Sequence, residues 1–181
     1  ATTGTGNVAV GNNALYTQTT ASNNTGVGYG TLEANTSGAT NVAVGYLALN
    51  DNTTASDNVA VGASALAVNT TGTDNVAVGS GALDANTTAS NNTAVGDNAL
   101  GANTTGATNT AVGADALLVN TTASTNTGIG NAALIATTTG GGNTGVGHAT
   151  LYSNTTGTNN VAMGSNALQN SDASNNIGIG Y

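Results

Sequence analysis

Residues 41–57 read Asn-Val-Ala-Val-Gly-Tyr-Leu-Ala-Leu-Asn-Asp-Asn-Thr-Thr-Ala-Ser-Asp, and the chain then begins again at Asn58-Val59-Ala60-Val61-Gly62. Outward from this unit, Asn7, Asn24, Asn41, Asn58, Asn75, Asn92, Asn109, Asn126, Asn143 and Asn160 recur at an unbroken spacing of seventeen. One further copy, at Asn176, comes a residue early because Leu168-Gln169-Asn170 is one residue short. Self-similarity at a fixed period is the signature of stacked structural units. The whole of 1–181 is therefore read as one repeat array of about ten and a half turns, with no internal domain boundary.

Three columns of this array carry the architecture. The Val10 column holds a large apolar residue in every copy, including Ile129, Met163 and Ile179, and is expected to build the core. The glycine after it never varies, from Gly11 through Gly62 to Gly180, which predicts positive φ or no room for a Cβ. The third column is Leu15, Leu32, Leu49 and onward to Leu168, without exception.

Alternation of period two in Val8-Ala9-Val10 predicts a strand, and the pairing of Leu66 with Val68 predicts a second short one. A glycine and β-branched threonines in each turn, with no stripe at 3.6-residue spacing, disfavour helix. Neither Asn-Gly nor Asp-Gly occurs, so the strongest hairpin signal is missing. The expected fold is all-β: a parallel β-roll or β-solenoid of 17-residue turns. Its columns become ladders about 4.8 Å apart, and eleven copies make a rod on the order of 50 Å long.

The Asn7 column, and a second one at Asn35, Asn52, Asn69, Asn86, Asn103, Asn120 and Asn154, are expected to bond amide to amide up the stack. Gln18 and Thr137 interrupt the second ladder. After Thr-Thr the residue alternates Ala21, Gly38, Ala55, Gly72, Ala89, Gly106, Ala123, Gly140, which reads more readily as duplication of a two-turn segment than as a structural need.

Composition narrows the function. The chain has no Lys, Arg, Cys, Pro, Trp or Phe, and eight acids give a net charge of −8. Nucleic-acid phosphates would be repelled, every trypsin site is absent, and disulfides are excluded. No apolar run approaches the roughly 20 residues needed to span a bilayer, so membrane insertion of this segment is not expected. Ala1 onward shows no charged start followed by an apolar stretch, so any secretion signal is expected to have been removed or to lie outside this segment. Regular placement of Val and Leu argues against disorder.

No catalytic, cofactor or metal site is expected. His148 sits alone at a variable corner, where other turns carry Tyr29, Tyr46, Ala63, Ser80 or Asp97. The acids Glu33, Asp51, Asp57, Asp74, Asp84, Asp97, Asp115 and Asp172 scatter over several columns, unlike a repeated calcium site, and only Asp57 and Asp74 stack directly. Gly140-Gly141-Gly142 lacks the Lys and βαβ setting of a phosphate loop. Asn-Thr-Thr at Asn52, Asn69, Asn86, Asn103, Asn120 and Asn154 matches the N-glycosylation pattern, but a ladder of stacked amides explains it more simply. The Thr column Thr19, Thr36, Thr53, Thr70 and onward raises ice binding as an alternative function, weakened because neighbours in an extended strand point oppositely.

The motif Asn41-Val42-Ala43-Val44-Gly45 and its copies, with Ile129-Gly130 and Ile179-Gly180, resembles the head repeat of YadA-like trimeric autotransporter adhesins over essentially the whole chain. The resemblance implies a left-handed β-roll, three chains side by side, at a bacterial surface, contacting host or matrix ligands. The Asn-Thr-Thr segment makes this turn longer than the commonest family repeat. Similar turns would suit a phage tail fibre shaft.

Self-association is expected on physical grounds as well, as homotrimer or head-to-tail filament, because a core this thin gains from burying another face. The small residues Ala9, Gly26, Ala43, Ala60 and Ala77 are read as that inter-chain face. The ends, which show no cap, suggest a segment of a longer solenoid. The sequence thus predicts a non-enzymatic, extracellular structural or adhesive fibre segment at the cell surface.

Overall fold

The computed structural model of the chain describes residues 3–181. From β1 (Val8–Val10) and β2 (Thr25–Val27) through β3 (Val42–Val44), β4 (Val59–Val61) and β5 (Val76–Val78) to β10 (Val161–Met163) and β11 (Ile177–Ile179), eleven three-residue strands form one parallel sheet in strict sequence order. Val42 pairs with Val59, Ala43 with Ala60 and Val44 with Val61, so residues seventeen apart stand side by side. Only the last step differs: Val161 pairs with Ile177, and the missing residue is absorbed outside the strands. The β-solenoid expected from the period is the fold, and no helix occurs among the described residues.

The facing of the strand is the reverse of the sequence expectation. Ala43, Ala60, Ala77, Ala94 and Ala111 are fully buried inside the chain's own core, whereas the valines and threonines on either side point outward and are partly exposed. The small-residue column is therefore not an inter-chain face, and the Val10 column is not core. Interior volume explains the reversal. A turn of seventeen residues encloses little space, and the invariant leucines take most of it. An added Cβ at Gly26 would stand 3.5 Å from Leu15 Cγ, and one at Gly128 3.4 Å from Leu117 Cγ. Only a methyl or a hydrogen fits opposite each leucine, so the β-branched residues go outside, where a strand still favours them.

The second strand is not formed. Residues 63–68 are a run of tight turns, closed by Ala65 N–H to Gly62 O and Asn69 N–H to Leu66 O. Leu66 itself has φ +51, and the leucine column adopts the left-handed region throughout, from Leu15 at +55 to Leu168 at +51. For a residue with a Cβ this costs about 1–2 kcal/mol. Burying a leucine gives back about 1.5–3 kcal/mol, and Leu32 to Leu151 are completely buried. The burial term prevails, and the twist turns Ala65 and Leu66, neighbours in sequence, both inward.

The invariant glycine meets both demands foreseen for it. Gly62 has φ +141, and a Cβ there would lie 2.3 Å from Gly79 O in the next turn. Gly38, Gly72 and Gly106 are likewise required, since a methyl would come within 2.1, 2.2 and 2.1 Å of the carbonyls of Ala55, Ala89 and Ala123. The glycine half of the Ala/Gly alternation thus has a steric reason that duplication alone does not supply.

Both asparagine ladders are interior. Asn58 N–H donates to Asn41 Oδ1 at 3.0 Å, Asn58 Nδ2 to Gly72 O at 2.9 Å, and Asn58 Oδ1 accepts Asn75 N–H at 3.0 Å. Asn69 Nδ2, from the second ladder, donates to the same Gly72 carbonyl at 2.9 Å. Apart from Asn120, the buried amides of these ladders are satisfied within their own turn and by the neighbouring turns, which is the condition for keeping polar groups in a core. Thr137 breaks the second ladder by sending its hydroxyl to Asn154 O, and Asn120 Oδ1 is left without a partner.

Candidate binding surfaces

With its core closed by Leu, Ala and Asn, the solenoid presents chemistry only on its outside. No enclosed pocket and no cluster of three or more metal-ligating side chains occurs among the described residues. Three exterior features remain: the strand face, the threonine edge and the corner that carries the tyrosines.

The strand face consists of two parallel ranks. One runs Thr25, Val42, Val59, Val76, Thr93, Thr110, Thr127, Thr144, Val161; the other runs Val27, Val44, Val61, Val78, Val95, Val112, Ile129, Val146, Met163. Exposure reaches 39% at Ile129 and 47% at Met163, so these side chains are open on their outer half. None of the eight acids lies in either rank. The strip is about 40 Å long and about 10 Å wide, which puts it at the size where apolar patches on soluble proteins mark contact surfaces.

The threonine edge differs from its expectation. Thr53 and Thr54 lie in a bend and not in an extended strand, so both face outward on the same edge, Thr53 partly buried and Thr54 exposed. Thr53 Oγ1 donates to Thr70 O at 3.1 Å, Thr70 Oγ1 to Thr87 O at 3.0 Å, and the pattern repeats along the column. These hydroxyls are spent on the next turn, and the second threonine keeps its own free in turns such as Thr54 and Thr71, whereas the Thr156 hydroxyl reaches Asp172 at 3.4 Å. The same edge holds Asp57 and Asp74, whose φ values of +61 and +58 explain their presence, since short polar residues tolerate the left-handed region. Asp57 takes the hydroxyl of Thr40.

At the last turn, Asp172 occupies the place where a carbonyl would have continued the edge. Its carboxylate accepts the Thr155 hydroxyl at 2.6 Å and the amides of Thr155, Thr156 and Gly157 at 2.7, 2.7 and 3.0 Å. These bonds, the Thr155 hydroxyl first, hold its carboxyl far below the usual carboxylate range. Asp84, by contrast, is pushed up by desolvation, partly offset by the amide of Ala85.

At the corner, Tyr29 and Tyr46 stack with ring centroids 5.6 Å apart and planes inclined by 15°. His148 occupies the same column far along the rod and is exposed. The glycosylation-like asparagines Asn52, Asn69, Asn86, Asn103, Asn120 and Asn154 are fully buried, as the ladder reading requires, and their amides are out of reach of a glycan.

The Tyr29–Tyr46 pair was visible in the sequence, but the outward valine ranks were missed: alternation reveals which residues share a face and not which face is inside. The Gly26–Thr31 and Gly145–Thr150 pairs were the available signal, because they mark the strand's small column as facing the Ala14 column across the core. No protein-family model, curated protein or solved structure matches this chain.

Proposed function

We propose that this chain is a stiff, extracellular structural or adhesive fibre segment whose copies associate side by side through the valine–threonine strand face. The observation that carries the reading is the outward apolar rank from Val27 to Met163, continuous from β2 to β10, beside a rank of threonines and valines, both free of charge. A chain of net charge −8 with no cation repels its own copies on every face that bears an acid. The acid-free strip is where two such rods approach without that cost, and half-exposed valines lose contact with water there. The resemblance to YadA-like heads supports a side-by-side trimer at a bacterial surface. A phage tail fibre shaft would use the same rod and the same face.

The test is the mass in solution. Analytical ultracentrifugation at micromolar concentration is expected to give an oligomer of the 17.1 kDa chain, and Val61→Glu with Val95→Glu is expected to give a folded monomer with unchanged circular dichroism. A folded wild-type monomer defeats the reading, and an oligomer that survives both substitutions removes the strand face from it.

A second reading rests on Thr93, Thr110, Thr127 and Thr144, consecutive in one rank beside Val95, Val112, Ile129 and Val146. A flat, evenly spaced rank of hydroxyls and methyls orders water, which favours ice binding by the free strand face. Thermal hysteresis and ice shaping by the monomeric chain would support it, and normal freezing behaviour would end it.

A further inference from the structure

We infer that the corner built by Tyr29, Tyr46, Glu33 and Asn50 is a binding site for neutral hexopyranose glycans. The inference rests on the adhesive reading above and names its ligand class.

The site is assembled by the period. Tyr29 and Tyr46 are seventeen apart and stack on each other, yet remain 49% and 57% exposed. The next residue in their column is the exposed Ala63, whose methyl leaves the outer ring face of Tyr46 without an aromatic neighbour. Glu33 and Asn50 are seventeen apart in a second column, which meets the tyrosine column's backbone at Gly30, one residue after Tyr29. Asn50 Nδ2 donates to Gly30 O at 2.7 Å and to Glu33 Oε2 at 3.3 Å, while Asn13 Nδ2 donates to Glu33 Oε1 at 3.2 Å. Gly30 directly follows Tyr29, and a Cβ on it would lie 3.3 Å from Glu33 Oε2. The carboxylate is therefore held by two amides next to Gly30, the residue after Tyr29.

This combination selects its ligand by chemistry. An aromatic face carries negative charge above its plane, which suits the polarised C–H groups on one side of a pyranose ring. A carboxylate with two amide bonds retains acceptor positions, since two oxygens offer about four lone-pair sites, and sugar hydroxyls donate to them. Anionic ligands such as sialylated or sulfated chains are disfavoured by a net charge of −8 without any Lys or Arg. Two rings and one carboxylate form too small a surface for a folded protein partner. Among the described residues no other tyrosines stack, since Tyr16, Tyr152 and Tyr181 lack an aromatic neighbour.

The experiment uses the intact chain against a printed array of neutral, sialylated and sulfated oligosaccharides, followed by titration with trisaccharides of glucose, galactose and mannose. Tyrosine emission is the readout, since the chain has no Trp. The expected result is saturable binding confined to neutral glycans. Tyr46→Ala is expected to weaken it at least tenfold and Glu33→Gln severalfold, both with unchanged thermal melting, and Ala63→Tyr, which covers the open ring face of Tyr46, to weaken it severalfold. An array with no neutral ligand, a preference for anionic glycans or cationic peptides, or affinity indifferent to Tyr46→Ala overturns the site. Adherence of the chain to whole cells or matrix alongside an empty array would reject this site while leaving the adhesive reading intact.

Discussion

Thr31 stands where a side chain on Gly26 would have to go: a Cβ at residue 26 would lie 2.9 Å from Thr31 Oγ1. The same pairing recurs at Gly145 and Thr150, at 2.7 Å, while turns with Ala in the strand, such as Ala43, place Ala48 opposite. In these two turns the volume given up in the strand is supplied from across the core, whereas Gly128 faces Ala133 without that exchange.

That exchange predicts a double-mutant cycle. Gly26→Ala is expected to destabilise by about 1–3 kcal/mol through overpacking. Combined with Thr31→Ala it recreates the Ala43–Ala48 pair and should recover most of the loss, a coupling of roughly 1 kcal/mol or more in urea unfolding. Additive effects of the two substitutions would mean that the residues do not face each other.

Thr137 offers a gain. Asn120 Oδ1 is the buried acceptor orphaned by the break in the second ladder. Elsewhere the equivalent amide supplies this bond, as Asn103 Nδ2 does to Asn86 Oδ1 at 3.1 Å. Thr137→Asn should restore it and stabilise the chain by about 1 kcal/mol, because an unsatisfied buried acceptor costs about 1–3 kcal/mol. Thermal and urea midpoints should both rise. A fall in both would show that the ladder is not formed at that turn.

Asp172 predicts an acid response confined to one end of the array. Its folded carboxyl titrates below the ordinary value of 3.8. The stabilisation is therefore fully present above that value and is lost as pH falls from there toward the lowered one. As pH falls from 5 to 2, the protection factors of the Thr155, Thr156 and Gly157 amides, referred to the intrinsic exchange rate at each pH, should fall while those of Val76–Val78 hold. Asp172→Asn should abolish that pH dependence, and an equal loss of protection along the whole rod would contradict the assignment.

Much of this fold was legible because every turn repeats the same constraint. The seventeen-residue spacing gave parallel order and register, and the invariant Gly62 column announced a backbone position closed to Cβ, which φ +141 and the 2.3 Å approach to Gly79 O explain. Two things were not legible. Alternation in Val59-Ala60-Val61 is symmetric with respect to inside and outside, so the intuition that larger residues are interior failed where the cavity was already filled by Leu66. The left-handed turn at Leu66 was hidden as well, because leucine adopts it only when burial outweighs the local cost. At the tyrosine corner, the column containing Tyr29 and Tyr46 was readable, but the approach of Glu33 and Asn50 depended on turns that the sequence reading had taken for a strand.

The stack itself can be measured with a molecular ruler. The chain contains no Cys, so Val44→Cys paired with Val112→Cys, or with Val146→Cys, gives clean sites for nitroxide labels, four and six turns apart on the outer face. With labelled chains diluted in unlabelled ones, pulsed electron resonance should give mean distances of about 19 and about 29 Å, growing by about 4.8 Å per turn. Distances that fail to grow with turn number, or a shorter separation for the pair farther apart in sequence, would contradict a rod of parallel turns and everything built on its outer face.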